Sequence, residues 1–284
     1  MADRTQSNIK KVGGVDPNFL ADYIEKDDSL ELLKEHRTVP RIKLMQSTTA
    51  QELKSVFGEG SAVLRPGDAL VCKYKVDPNS FQFVPVFFFV EFAKWIDLRD
   101  ANQGKPSVEI RSFDPTSDVA KCCRDVNRRY EVYPGHDKLP EKERHFFRYV
   151  EHLRFVGTLY GDHPLALTPA TLSFERGEFQ QGKNFISAIT LRRQIIGERS
   201  VPVPLWAQVW EISPMFHDPA PDRKWFGFKF EAADPPIITP NQAQFFQGLH
   251  KEFKELFEAQ RLTVDDEPIE DPASEGDTPA SSEF

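Results

Sequence analysis

The sequence predicts a β-rich α+β protein closed by an amphipathic helix and followed by an acidic tail. Three observations carry this. The run Phe81–Leu98 is dense in Phe and Val, the composition of a long strand. Residues 205–212 and 224–231 alternate as half-buried strands do. Thr239-Pro240 then starts a helix, after which residues 265–284 hold eight carboxylates and no Lys or Arg.

Residues 1–35 are polar, with breakers at Gly13-Gly14 and Asp16-Pro17. They read as a flexible segment with short helical pieces through Phe19, Leu20, Tyr23, Ile24, Leu30, Leu32 and Leu33. Residues 36–262 form the folded body. In it, residues 62–64 and 69–76 flank Arg65-Pro66-Gly67-Asp68, a turn that predicts a hairpin. Phe81–Leu98 reads as a central strand buried on both sides, with Pro85 marking an edge or a bulge. Residues 107–113 alternate weakly. Residues 119–130 suggest a short helix carrying Arg124, Arg128 and Arg129.

A second helix is expected with Pro140 in its first turn and Phe146, Tyr149, Val150 and Leu153 at helical spacing. Residues 167–174 look extended, and Phe179–Leu191 looks helical through Phe185, Ile186 and Ile189. The closing helix spans 240–262. Thr239 is its N-cap, Pro240 its first residue, and Phe245, Leu249, Phe253, Leu256 and Phe257 share one face. Residues 263–284 have too little apolar surface to offset the entropy of ordering and are expected to be disordered.

The chain has 284 residues and a net charge of −8. Eight of its 44 acidic residues lie in the tail, so the other 36 balance the 36 Lys and Arg, and the body is formally neutral. An acidic total is therefore no argument against a basic groove. Three cysteines, Cys72, Cys122 and Cys123, are an odd number and read as reduced thiols of a cytoplasmic protein. The longest apolar run, residues 83–90, is interrupted by Pro85 and falls far short of the ~20 residues a membrane span needs.

Several chemistries lack their signatures. Gly58-Glu59-Gly60 has neither the third glycine of a dinucleotide loop nor the Lys of a P-loop, and there is no Gly-x-Ser-x-Gly elbow. Cys122-Cys123 with His136 lacks the spacing of a zinc site. Glu252-x-Lys254 lies on the Phe-rich helix, where surface pairing explains it. The expectation is a protein that is not an enzyme and holds no metal or cofactor.

What the sequence does hold is aromatic and basic residues in adjacent positions. In residues 224–231, Phe226, Phe228 and Phe230 fall on one side of a strand, and Arg223, Trp225, Gly227 and Lys229 on the other. In residues 70–76, Leu70, Cys72, Tyr74 and Val76 form an apolar side, opposite Lys73 and Lys75. Trp206 and Trp210 share a face with Gln208, and Trp95 follows Lys94. Arg128-Arg129-Tyr130 and Arg192-Arg193 are compact basic patches. Stacking contributes roughly 1–3 kcal/mol per base, and each cation adds salt-dependent attraction to phosphate. These residues suit a single strand of nucleic acid. Taken singly, each Trp or Phe is equally at home in a core.

The tail ends on Phe284 directly after Glu283. A flexible acidic tail finishing in phenylalanine resembles that of phage and bacterial single-stranded DNA-binding proteins. The octet Val39-Pro40-Arg41-Ile42-Lys43-Leu44-Met45-Gln46 also resembles the opening of some phage early proteins described as DNA-binding. The resemblance implies an OB-type barrel elaborated with helices, acting in phage DNA replication, recombination or repair. It further implies that Asp265, Asp266, Glu267, Glu270, Asp271, Glu283 and Phe284 recruit a polymerase, helicase or nuclease. Residues 279–282 are uncharged, a departure from the usual tail. The alternative is a phage structural or protein-interaction module that never touches nucleic acid, and homo-oligomerisation stays open in either case.

Overall fold

Eighteen consecutive residues, Phe81–Leu98, form one strand in the computed structural model of the chain. His145–Tyr160 pairs with it antiparallel from Gln82↔Tyr160 to Leu98↔His145. This ladder explains the sequence it is made of. Both faces of both strands are largely covered, so apolar residues run almost continuously through 83–93 and neither strand alternates regularly with polar residues. Pro85 has no N–H to give to a ladder, and the register shifts between Pro85 and Phe87. That bulge reverses the facing of the strand. Phe81 and Phe83 share a core with Phe88 and Val90, whereas Val84, Val86, Phe87 and Phe89 point to the other side. Gly157 pairs with Pro85 because nothing larger fits: a Cβ there would stand 2.2 Å from the Val84 carbonyl oxygen.

The structure describes residues 38–98, 107–125, 128, 130–132, 145–220 and 223–264. They belong to the second of the chain's two units, Thr38–Phe284. The helical pieces expected around 19–33 and the whole acidic tail lie outside the described residues. In chain order, β1 (Thr38–Val39) and β2 (Arg41–Leu44) precede α1 (Gln51–Phe57). Next come the hairpin β3 (Ala62–Arg65) and β4 (Ala69–Cys72), then β5 (Phe81–Leu98), β6 (Ser107–Ser112), α2 (Asp118–Arg124) and β7 (Tyr130–Val132). β8 (His145–Tyr160) and β9 (Pro169–Phe174) lead to α3 (Phe179–Leu191) and the hairpin β10 (Arg193–Ile196) and β11 (Arg199–Pro202). β12 (Gln208–Ala220), β13 (Arg223–Ile237), α4 (Ala243–Glu258) and β14 (Thr263–Val264) complete the body.

Ten of these strands form one sheet, in the order β13-β12-β5-β8-β9-β2-β3-β4, with β6 on β5 and β7 on β8. Only the β2–β9 contact in it is parallel. The β-rich class expected from sequence is present, and the sheet curls into a half-barrel. Its inner face is filled by Phe83, Phe155, Leu172, Phe174, Trp210 and Phe228, over which α3 lays Phe185. That ring stacks on Phe230 at 4.2 Å and meets Trp210 edge-on at 5.1 Å. The outer face carries α4, whose Phe246 and Phe253 are buried against Val86, Phe89 and Val209. At the bulge, Val86 has no partner in the β8 register, and His250 Nδ1 of α4 donates to its carbonyl at 2.7 Å. Two residues past the expected boundary at 262, β14 pairs in parallel with β1.

Four expectations are corrected. The helix expected through Phe146, Tyr149, Val150 and Leu153 is strand β8; with both faces covered, apolar residues fall at helical spacing without being helical. The helix expected over 119–130 ends at Arg124, and Tyr130 belongs to β7. Residues 205–207 form a single 3₁₀ turn, and the strand begins only at Gln208. On α4, Phe246 takes the core position and Phe245, about 100° away around the helix, is exposed.

Candidate nucleic-acid interface

The two ends of the curled sheet meet. β13 ends the path, so its outward amides and carbonyls lack a neighbouring strand. Two glutamines take that place. Gln46, in the turn after β2, donates from Nε2 to the Phe226 carbonyl at 2.8 Å and accepts from the Phe226 amide at 2.8 Å. Gln181 of α3 accepts from the Phe228 amide at 3.1 Å, while its Nε2 lies 2.6 Å from His217 Nε2. From the other end of the path, Tyr74 meets the Phe226 ring edge-on at 5.0 Å. Phe216, itself part-exposed, lies 5.0 Å from the same ring.

Beside this seam is a shallow cleft of about 330 Å³, lined by Lys54, Val56, Glu59, Lys73, Tyr74 and Val76 among others. β4 stops at Cys72, and residues 73–76 form a tight turn closed by a Lys73↔Val76 bridge, with Lys75 in the left-handed region at φ 56°. The alternation expected over 70–76 therefore fails. Leu70 and Val76 are exposed, Val71 and Cys72 are both buried at a bulge, and Lys73, Tyr74 and Lys75 share one turn. The Lys75 ammonium stands 4.9 Å over the Tyr74 ring. Cations and a ring thus occupy one surface, which is the arrangement a stacked base and its phosphate require.

The other candidate residues are placed as follows. Trp95 and Trp210 are only 6% and 5% exposed, so neither ring offers a face to a base; both are core residues. Trp206 is half-buried at the edge of the outer core, on the opposite side of the sheet from Trp210, because the 3₁₀ turn breaks the strand phase between them. Trp225 is half-buried and already stacked on His217, with rings 5.1 Å apart and 12° from parallel. Gly227 is where Gln181 approaches: a Cβ there would stand 2.4 Å from Gln181 Nε2. Lys229 is exposed and paired with Glu231 at 2.9 Å, and the neighbouring Lys224 lies 3.5 Å from Asp218.

Arg192 stacks on Trp210 with its guanidinium carbon 4.9 Å from the ring, while Arg193 is exposed on β10. Arg128 is exposed beyond α2, its amide donating to the Asp125 carbonyl. Tyr130 contributes backbone pairing to Arg148 of β8, and Arg223 opens β13 opposite Ala220. Arg129 and the tail residues lie outside the described residues. The structure thus brings together Lys73 and Lys75 on one turn and Arg192 with the buried Trp210, and places the other described candidates apart from these pairs.

Residues 10–263 match the family model of the Pam3 phage gp34-like protein. The chain belongs to that family. No curated protein and no solved structure matches it. The family places the chain among phage proteins.

This gp34-like protein also contains an ionic network that sequence reasoning missed. Arg154 and Glu91 are both almost wholly buried, on β8 and β5. Arg154 Nε donates to Glu91 Oε2 at 2.6 Å, its Nη2 pairs with the same oxygen, and Nη1 donates to Ser173 Oγ at 3.3 Å. Arg111 Nη1 donates to Glu91 Oε1 at 2.8 Å. Close by, His152 is 1% exposed and lies 3.4 Å from Glu175, which also pairs with Arg41 at 3.3 Å. Burial, aided by Arg154 and Arg41, pushes the His152 imidazole down to about 4, so it is neutral at pH 7. Burial pushes the Glu178 carboxyl up to about 7, with Glu175 adding to the shift and Arg41 opposing it.

A signal for the network existed in the sequence: Glu91 interrupts the otherwise apolar run 83–93, and a buried charge needs a partner. The gp34-like chain's three cysteines are free and buried, and burial holds Cys72 and Cys123 up at about 12, as unreactive thiols. Among the described residues, no helix is long and apolar enough to cross a membrane, and no group of three or more potential ligands is placed for a metal ion.

Proposed function

We propose that this phage gp34-like protein binds single-stranded DNA without sequence preference during phage DNA replication, recombination or repair. It acts in the host cytoplasm as a binding protein and not as an enzyme. The observation that carries the reading is the seam cleft, lined by Lys54, Lys73 and Tyr74, with Lys75 over the Tyr74 ring and that ring braced edge-on against the buried Phe226. Bases stack on exposed rings, and phosphates meet the lysines. The half-barrel takes the part of the OB-type body that the tail resemblance implies, in which a curved sheet presents the strand-binding surface. The acidic tail, residues 265–284, recruits replication or recombination enzymes.

A second reading, a protein-interaction module, is favoured by the pairing of Lys224 and Lys229 with acidic neighbours, which lowers the free positive charge along β13. A salt titration of binding to labelled oligo(dT) separates the two, using the intact protein and a variant lacking residues 265–284. Binding that weakens with salt, spares duplex and tightens on tail removal supports the first. No binding by either form rejects it in favour of the second.

A further inference from the structure

The hairpin β10–β11 stands apart from the rest of the fold. Its strands pair only with each other, while every other strand but β1 and β14 joins the large sheet. Its root is firm. The Val203 amide donates to the Arg192 carbonyl at 3.0 Å, and Gln208 Nε2 donates to the carbonyls of Ile189 and Val203, stapling the end of α3 to the start of β12. Beyond the root, Ile195 is 77% exposed in the middle of β10. The register puts Ile195 opposite Ser200 and on the same face as Arg193. Arg193 is held rigid there, with Nε donating to Ser200 Oγ at 2.9 Å and Nη2 to the Ser200 carbonyl at 2.6 Å. Arg199 is the next residue back along β11 and is also exposed. Residues 192–202 contain three arginines and a single acid, Glu198.

We infer that this hairpin is a nucleic-acid wedge: Ile195 inserts against or between bases of a bound single strand, while Arg193, on the same face, holds a flanking phosphate. The inference rests on the single-stranded DNA reading above and names a contact outside the seam cleft. Three observations favour nucleic acid over a protein partner. The centre of a protein interface is depleted in charge, whereas this isoleucine has Arg193 beside it on its own face, with Arg199 on the opposite face. A hairpin of two four-residue strands is small beside the ~800 Å² a stable protein partner covers. An exposed apolar side chain beside a cation is instead the pattern of residues that unstack a base step. Arg193, already fixed by Ser200, loses little freedom when its remaining N–H groups meet a phosphate.

The experiment uses the full chain and a single-stranded oligonucleotide carrying 2-aminopurine, whose fluorescence rises on unstacking. Ile195→Ser, Ile195→Met and Arg193→Gln are compared with wild type, each checked for an unchanged melting temperature, since both sites are exposed. The expected result is that Ile195→Ser weakens binding about tenfold and abolishes the fluorescence rise without changing the salt slope. Ile195→Met retains the rise. Arg193→Gln lowers the salt slope by about 0.7 and keeps the rise. If wild type binds and Ile195→Ser matches it in affinity and fluorescence, the wedge is overturned and the DNA reading stands. Conversion of a wild-type dimer to monomer by Ile195→Ser overturns it in favour of a contact between copies. If wild type shows no salt-dependent binding, the DNA reading fails and the wedge fails with it.

Discussion

The side chain of Gln46 pairs with the backbone of Phe226 as a neighbouring strand would, donating to its carbonyl and accepting from its amide, both at 2.8 Å. A primary amide has the same donor–acceptor pair as a peptide group, so one residue caps one register position of an otherwise open edge. With Gln181 doing half of this at Phe228, the edge of β13 is blunted without another strand, and the curled sheet is tied end to end.

Replacing Gln46 tests this tie. Gln46→Ala leaves a donor and an acceptor of the buried Phe226 unpaired, at a cost of about 1–3 kcal/mol. Gln46→Glu costs at least as much, because an ionised carboxylate accepts from the amide but repels the carbonyl. Urea midpoints with unchanged m-values check both; a Gln46→Ala midpoint equal to wild type would show that water replaces the amide.

Gly227 and Gln181 form a coupled pair, since a Cβ at 227 occupies the space of the Gln181 amide. Gly227→Ala destabilises by about 1–3 kcal/mol, the range of overpacking. Gln181→Ala removes the obstacle at the cost of its own hydrogen bonds. The double variant is therefore less destabilised than the two singles predict together, and a double-mutant cycle measures the difference. Strict additivity would mean that Gln181 simply swings aside.

The Glu91–Arg154 pair is expected to behave asymmetrically. Arg154→Met leaves a carboxylate buried with only part of its hydrogen bonding, at a cost of about 3–5 kcal/mol. Glu91→Leu combined with Arg154→Met removes both charges and recovers most of that loss. Thermal unfolding of the two variants distinguishes a pair that is needed for stability from one that is costly only when half of it is removed.

His152 and Glu178 give stability opposite slopes in pH. The folded imidazole titrates at about 4 against an ordinary 6.5, so between these values the unfolded chain takes up a proton that the folded chain refuses. Its contribution is present above pH 6.5 and is lost as pH falls to 4, a change of about 3 kcal/mol at about 1.4 kcal/mol per pH unit. The folded Glu178 carboxyl titrates at about 7 against an ordinary 4.5, so its contribution is present below pH 4.5 and is lost as pH rises to 7. Glu178→Gln therefore stabilises the protein at pH 8 relative to wild type, and less so at pH 5. Urea unfolding at the two pH values reads this directly, and an equal shift at both would refute it.

Much of the fold was legible because local pattern and final environment agree. β5, the β3–β4 hairpin, α3 and the Thr239-Pro240 start of α4 each announce themselves within a few residues. Thr239 is the N-cap expected, with Pro240 opening a 3₁₀ turn that leads into α4; the capping box with Gln242 was not foreseen. β8 was not legible, since burial on both faces erases the two-residue period that marks a strand. The seam was out of reach for another reason: Gln46 and Phe226 are 180 residues apart, and nothing in a turn glutamine indicates which backbone it will meet. Of the candidate site, Lys73 and Lys75 were identified for the wrong strand geometry, and the tryptophans were divided by burial into core and surface in a way that alternation alone does not reveal.

The seam lysines carry the last prediction. Lys73, half-buried, and Lys75, exposed, sit on one turn with Tyr74 outside the large sheet's ladder, so replacing the two side chains is expected to leave the fold intact. Each phosphate contact on a single strand contributes about 0.7 to the slope of log affinity against log salt. Lys73→Ala with Lys75→Ala lowers that slope by about 1.4 for oligo(dT). Tyr74→Ala removes stacking without changing the slope, but it also strips an edge contact from Phe226, so its melting temperature falls as well. Tyr74→Leu keeps the apolar contact and separates the two effects: weaker binding at unchanged melting temperature identifies the ring as a stacking surface. Slopes unaltered by the double lysine variant would move the DNA contact away from the seam.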